Sequence, residues 1–227
     1  MGRPMTDFPF AIVGFDLDGT LLDTSPDLTD AVNFALAAEG RPPLAIDDVK
    51  PMAGGGARLM LERGLAASGG VEDGVIDRLL PILLDHYREN IARGTLPYPG
   101  LYAALDELAA MGVTIAVVTN KLEALAVKLI DELGITDRFA TIIGGDTMGK
   151  GNGKPSAVPI LEMIRRVGGG RAAFVGDTIY DVMAAKNAGI PSIAVSFGFP
   201  MQPVEELGAD AVIHHYDELI PTLRTLG

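Results

Sequence analysis

The chain has no cysteine and only three histidines among its 227 residues. Lack of cysteine excludes a disulfide framework, a thiol nucleophile and thiolate metal sites, and fits a reducing cytoplasmic setting. Because two of the three histidines, His214 and His215, are adjacent, a histidine-built metal site is not expected, and carboxylates remain as candidate ligands. Basic residues are also scarce, 18 against 30 acidic ones for a net charge of -12. That balance excludes an extended basic face for nucleic acid or anionic lipid. Long apolar runs are missing as well. The first, residues 8–15, stops at Asp16 and Asp18 and is too short for a membrane span or a signal peptide. Met1-Gly2-Arg3-Pro4-Met5-Thr6 formally matches a myristoylation pattern, but Pro4 and the lack of a polybasic companion point instead to a ragged start before Met5.

What is present is apolar content, 48% of the chain, enough to bury a sizeable core as one large domain or one domain with a smaller insert. Short β-rich runs at residues 10–15, 113–119, 140–143, 171–175 and 191–196 alternate with longer helical patterns. This predicts a parallel, Rossmann-like α/β sheet covered by helices. Leu101, Leu105, Leu108 and Met111 before Gly112, and Leu122 to Leu133 before Gly134, have the spacing of crossover helices. Far more chain than a crossover needs separates the first two strands, and it is helical throughout. We expect a small all-α cap at residues 25–96, inserted into a core made of residues 1–24 and 97–227, with hinges near Thr24 and near Leu96-Pro97-Tyr98-Pro99-Gly100. A late edge strand near residues 211–213 and a final helix complete the expectation.

Ligands of open α/β sheets bind beyond the carboxyl ends of the strands. There the sequence places Asp16-Leu17-Asp18-Gly19-Thr20, then Thr119-Asn120-Lys121, then Lys154 at the expected start of a helix, and finally Gly176-Asp177 with Asp181. Four carboxylates, a hydroxyl and one or two ammonium groups would then share one crevice. Mg²⁺ prefers oxygen ligands, and two or three carboxylates meet that need. A carboxylate can attack phosphorus to form an acyl phosphate when a metal screens its repulsion. A second carboxyl two residues on is placed to act as acid and then base, while Thr119 and Lys154 are suited to hold phosphoryl oxygens. Each residue alone has a plainer reading. Asp18-Gly19-Thr20 reads as a turn, Asp177 and Thr119-Asn120 as helix caps, and Lys154 as a solvated helix start. Their coincidence at every strand end is what the plainer readings leave unexplained.

These residues resemble, in order, the four motifs of the haloacid dehalogenase superfamily: Asp16-Leu17-Asp18-Gly19-Thr20-Leu21, Thr119-Asn120, Lys154-Pro155 and Gly176-Asp177-x-x-x-Asp181. The insert after the first motif is similar to that superfamily's type-1 cap. The resemblance implies that Asp16 is a nucleophile and Asp18 a general acid and base. It further implies Mg²⁺ held by Asp16, the Asp18 carbonyl and Asp177 with Asp181 close by, and a phosphoryl group held by Thr119 and Lys154. Asp23-Thr24-Ser25-Pro26-Asp27-Leu28, Gly54-Gly55-Gly56-Ala57-Arg58 and Thr119-Asn120-Lys121 are similar to the phosphoglycolate phosphatase group. Lys154-Pro155-Ser156-Ala157, where that group usually has Pro-Asp-Pro after the lysine, departs from it and bears on substrate identity. Gly19, Asn120, Lys121 and Arg58 are the candidate substrate contacts; Arg58 would meet a second substrate charge, with a solvated helix face as its alternative.

The expected partner is a small phosphorylated metabolite, and the expected assembly a monomer or homodimer. Asp18 argues against a dehalogenase. The only lysine between Thr24 and Leu96 is Lys50, in Asp47-Asp48-Val49-Lys50-Pro51. It reads as a surface salt-bridge partner rather than the Schiff base of a phosphonate hydrolase. A phosphosugar mutase with the same motifs and a non-catalytic phosphate-binding regulator remain as alternatives.

Overall fold

The computed structural model describes residues 8–199 and 201–227; the myristoylation-like start, Met1 to Thr6, lies outside them. The first strand, β1 (Ile12–Phe15), is buried along its whole length, as expected of a strand covered on both faces. A short strand β2 (Leu22–Asp23) leads into helix α1 (Ser25–Ala37), then α2 (Ile46–Val49), α3 (Ala57–Ala67) and α4 (Val75–Glu89), and the chain returns through β3 (Leu96–Pro97). The remainder alternates: α5 (Leu101–Ala110), β4 (Thr114–Val118), α6 (Glu123–Glu132), β5 (Ile142–Ile143), α7 (Val158–Arg166), β6 (Ala172–Gly176), α8 (Ile179–Ala188), β7 (Ser192–Val195), β8 (Ala211–Ile213) and α9 (Leu219–Leu226).

Six strands form one sheet in the order β5-β4-β1-β6-β7-β8, and every pairing is parallel. Because strand side chains alternate, Val13, Phe15, Val117 and Val175 join a core with Leu105 of α5, Leu129 of α6 and Leu223 of α9. Ile12, Val118 and Phe174 point the other way, into a second layer with Ile160 and Met163 of α7 and Ala184 of α8. Gly14 lies where a Cβ would come 2.5 Å from the Met163 sulfur, so α7 packs against the sheet because that position is bare. No described helix is long and apolar enough to cross a membrane.

The α/β class and the helical insertion after β1 agree with the sequence. Helix α4 buries Val75, Leu79, Leu83 and Tyr87, a single stripe at a spacing of four residues. The insert leaves and rejoins the core through β2 and β3, which pair antiparallel. Asp27 then ties the returning segment to α1, accepting from Gly94 N at 2.8 Å, Thr95 N at 2.9 Å and Thr95 Oγ1 at 2.6 Å. Two local expectations are corrected. Lys154 does not open a helix, since α7 begins at Val158 and Lys154 lies in the preceding loop with its side chain inward. The strand expected at residues 140–143 is only Ile142–Ile143, an edge strand whose outer side has no partner among the described residues.

Candidate active site

Strands β4, β1 and β6 are adjacent, so the residues that follow them meet at one end of the sheet. Asp16 follows β1, Thr119 follows β4 and Asp177 follows β6, and all three are buried. Asp181 joins them from the first turn of α8. The Thr178 Oγ1 and N atoms donate to its Oδ2 at 2.6 and 3.0 Å, so Thr178, not Asp177, caps that helix. Gly176 permits this approach, because a Cβ there would come 2.2 Å from the Asp181 Cβ. Asp177 is aimed by Thr20 Oγ1, which donates to its Oδ1 at 3.1 Å, and by Phe199 N, which donates to Oδ2 at 2.8 Å.

Carboxylate oxygens of Asp16, Asp177 and Asp181 all lie within 4.8 Å of one another. Lys154 Nζ is 2.7 Å from Asp16 Oδ1 and 2.6 Å from Asp181 Oδ1. Only the second contact has hydrogen-bond direction, and Asp16 Oδ1 makes no hydrogen bond. Burial pushes the Asp16 carboxyl up to about 7, with Lys154 opposing and Asp181 and Asp18 adding to the rise. Burial, followed by the charges of Asp181 and Asp16, also holds Asp177 well above the usual carboxylate range. Three buried carboxylates facing one ammonium, with an oxygen left without a hydrogen bond, fit a metal ion that prefers oxygen ligands.

Asp18 stands apart from this triad. Its carboxylate accepts from Lys121 Nζ at 2.5 and 2.8 Å and from Thr24 Oγ1 at 2.7 Å. Lys121 therefore faces inward from the loop before α6, which begins at Glu123, and it is 8% exposed. Burial opposes its charge, but Asp18 more than compensates and holds the ammonium above its ordinary range. Thr119 Oγ1 accepts from Lys121 N at 3.2 Å, which leaves its hydroxyl proton available to a ligand. Asn120 Nδ2 donates to Gly54 O and Lys154 O, both at 3.0 Å, and so ties the glycine loop of the insert to two motif segments. Gly19 adopts φ 78°, and a Cβ there would sit 2.2 Å from Asp177 Oδ2; glycine is required at this position for the Asp177 carboxylate to approach.

A cavity of about 40 Å³ runs from Asp16, Asp18 and Thr119 to the insert, where Leu83 and Tyr87 of α4 close it. Arg58 does not line it. Its side chain is 58% exposed and pairs with Asp77, because the first turn of α3 faces the start of α4. Lys50 pairs with Asp47 at 4.0 Å on the surface, as expected. The sequence reading missed the roles of Tyr87, Thr20 and Phe199, which act through partners distant in the chain, and of Thr24, which reaches Asp18 six residues away. Among them only Tyr87 left a signal, a hydroxyl-bearing residue on an otherwise aliphatic helical stripe.

A family model for haloacid dehalogenase-like hydrolases matches residues 13–195. A phosphoglycolate phosphatase of Caulobacter vibrioides is 42% identical over 213 residues, covering 92% of this chain and 89% of the relative. One from Agrobacterium fabrum is 43% identical over 224 residues, covering 97% and 94%. The crystal structure of a predicted phosphoglycolate phosphatase from Haemophilus somnus superimposes with a TM-score of 0.86 at 26% identity, covering 96% of this chain and 99% of that one. With the motif residues gathered at one sheet end and the family model spanning most of its length, the chain belongs to the haloacid dehalogenase-like hydrolases.

Proposed function

We propose that this protein is a Mg²⁺-dependent phosphomonoesterase acting on a small phosphorylated metabolite, with 2-phosphoglycolate as the leading candidate. The observation that carries the reading is Asp16, a buried carboxylate beside Lys154 with one oxygen free of hydrogen bonds. Support for the substrate comes from the full-length relatives named above. In this reading residues 25–96 form a cap over a core of residues 1–24 and 97–227, and its closure excludes water from the reaction. Asp16, the Asp18 carbonyl, Asp177 and Asp181 would hold the Mg²⁺, which supplies charge neutralisation for the phosphoryl oxygens.

The residues then divide the work. Lys154 and the Thr119 hydroxyl hold phosphoryl oxygens and offset the charge that develops on them. An Asp16 oxygen attacks phosphorus, the bond to the alcohol oxygen breaks, and Asp18 gives that oxygen a proton. Asp18 next takes a proton from water as it attacks the aspartyl phosphate, releasing phosphate and restoring Asp16.

The test is phosphate release from 2-phosphoglycolate and other small phosphomonoesters, with Mg²⁺ or EDTA. Asp16→Asn is expected to stay folded, because it replaces a buried carboxyl without opening a cavity, and to lose more than about 10⁴-fold in turnover. An active Asp16→Asn protein would refute the covalent route.

A further inference from the structure

Among the buried side-chain polar atoms, the Tyr87 hydroxyl oxygen is one of few that make no hydrogen bond. The residue is 2% exposed, and burial pushes its hydroxyl up to about 12 despite the opposing charge of Lys121. A phenylalanine would fill the same helical stripe without an unsatisfied group, so the hydroxyl contributes nothing to packing. Tyr87 closes the cavity that leads to Asp16 and Thr119. The ammonium of Lys121 lies 4.7 Å from its ring centroid and is the one lysine or arginine among the described residues that line this cavity. Much of the remaining wall is apolar, including Leu28, Met60, Leu83 and Leu125.

We propose that Tyr87 and Lys121 receive the anionic end of the substrate's leaving group and thereby select phosphomonoesters whose short alcohol part ends in a carboxylate. The proposal rests on the phosphomonoesterase reading above and names the residues that choose its substrate. Tyr87 donates its unused hydroxyl to the carboxylate, and Lys121 exchanges Asp18 for it. In this largely apolar surrounding, charge-assisted hydrogen bonds are stronger than at a surface, and an uncharged tail offers neither group a partner. Arg58, paired with Asp77 outside the cavity, does not take that role.

The experiment compares kcat/KM for 2-phosphoglycolate and ethyl phosphate, which has a methyl group where the first has a carboxylate. Wild type, Tyr87→Phe and Lys121→Met are assayed at saturating Mg²⁺. Wild type is expected to prefer 2-phosphoglycolate. The preference ratio should fall about tenfold in Tyr87→Phe and about a hundredfold in Lys121→Met, the losses typical of one hydrogen bond to a charged group and of a buried charge pair. A purely structural defect would slow both esters alike and leave the ratio unchanged. Tyr87→Phe leaves the Lys121–Asp18 pair in place, so it decides the matter even if Lys121→Met, which strands Asp18, fails to fold. An unchanged ratio in Tyr87→Phe, or a wild type without preference, overturns the proposal and leaves the phosphatase reading standing. Release from neither ester by wild type overturns both.

Discussion

Asp16, Asp177 and Asp181 are crowded together although each repels the others, and this conflict has a measurable consequence. Asp16 titrates near 7 because it is buried, and Asp177 is raised by burial and by Asp181 and Asp16. A carboxyl whose folded-state pKa lies above its unfolded value binds its proton more tightly in the folded chain. Its contribution to stability is full below about pH 4 and is lost as pH rises through about 7. Metal-free protein in EDTA is therefore expected to unfold at a lower temperature at about pH 8 than at about pH 5.5, by a difference on the order of a few kcal/mol. Excess Mg²⁺ replaces those protons, so it should cancel most of the decline. Thermal unfolding at the two pH values, with and without metal, checks this; a midpoint in EDTA that rises with pH would contradict it. The three carboxyls themselves were legible because each immediately follows a strand or opens a helix. Their aiming partners Thr20 and Phe199 N were not, because a hydroxyl or an amide acquires that role only when folding brings distant segments together. Lys121 shows the same limit: its position after β4 was visible, its inward turn onto Asp18 was not.

At the scale of elements, periodicity carried most of the information. The buried strands and the crossover helices α5 and α6 fall where their apolar spacing places them, since a covered strand and an amphipathic helix write different periods into a sequence. The β2–β3 ribbon was read only as a pair of hinges, because strands of two residues leave no pattern. Its neighbourhood depends instead on Asp27, whose carboxylate accepts three hydrogen bonds from Gly94 and Thr95 across 67 and 68 positions of chain. Those donors are partly or wholly buried, so deleting the acceptor leaves them unsatisfied. Asp27→Ala is expected to cost about 2–4 kcal/mol, read as a lower urea midpoint at constant slope. Because both crossings between insert and core lie here, the same variant should also raise KM. A midpoint unchanged within error would show that water satisfies these groups and that the aspartate is dispensable for the connection.

Taken whole, the molecule sets its net charge of -12 against a substrate that is itself an anion. When all are ionised, as a bound cation favours, the carboxylates of Asp16, Asp18, Asp177 and Asp181 exceed the ammonium groups of Lys121 and Lys154 in the crevice by two charges. A bound divalent cation brings that local sum to zero. An approaching phosphomonoester then meets a neutral site inside a negative body, and the field it feels at long range is the repulsion of the surface. Raising ionic strength from about 10 mM to about 150 mM shortens the screening length from about 30 Å to about 8 Å and removes most of that repulsion. At fixed pH and saturating Mg²⁺, kcat/KM for a dianionic ester is therefore expected to rise about two- to threefold with added KCl, with kcat nearly constant. An enzyme that steers its anion electrostatically would show the opposite slope. A fall in kcat/KM with salt would mean that Lys121, Lys154 and the metal project a positive field beyond the cavity mouth, and that the acidic surface plays no part in how the substrate arrives.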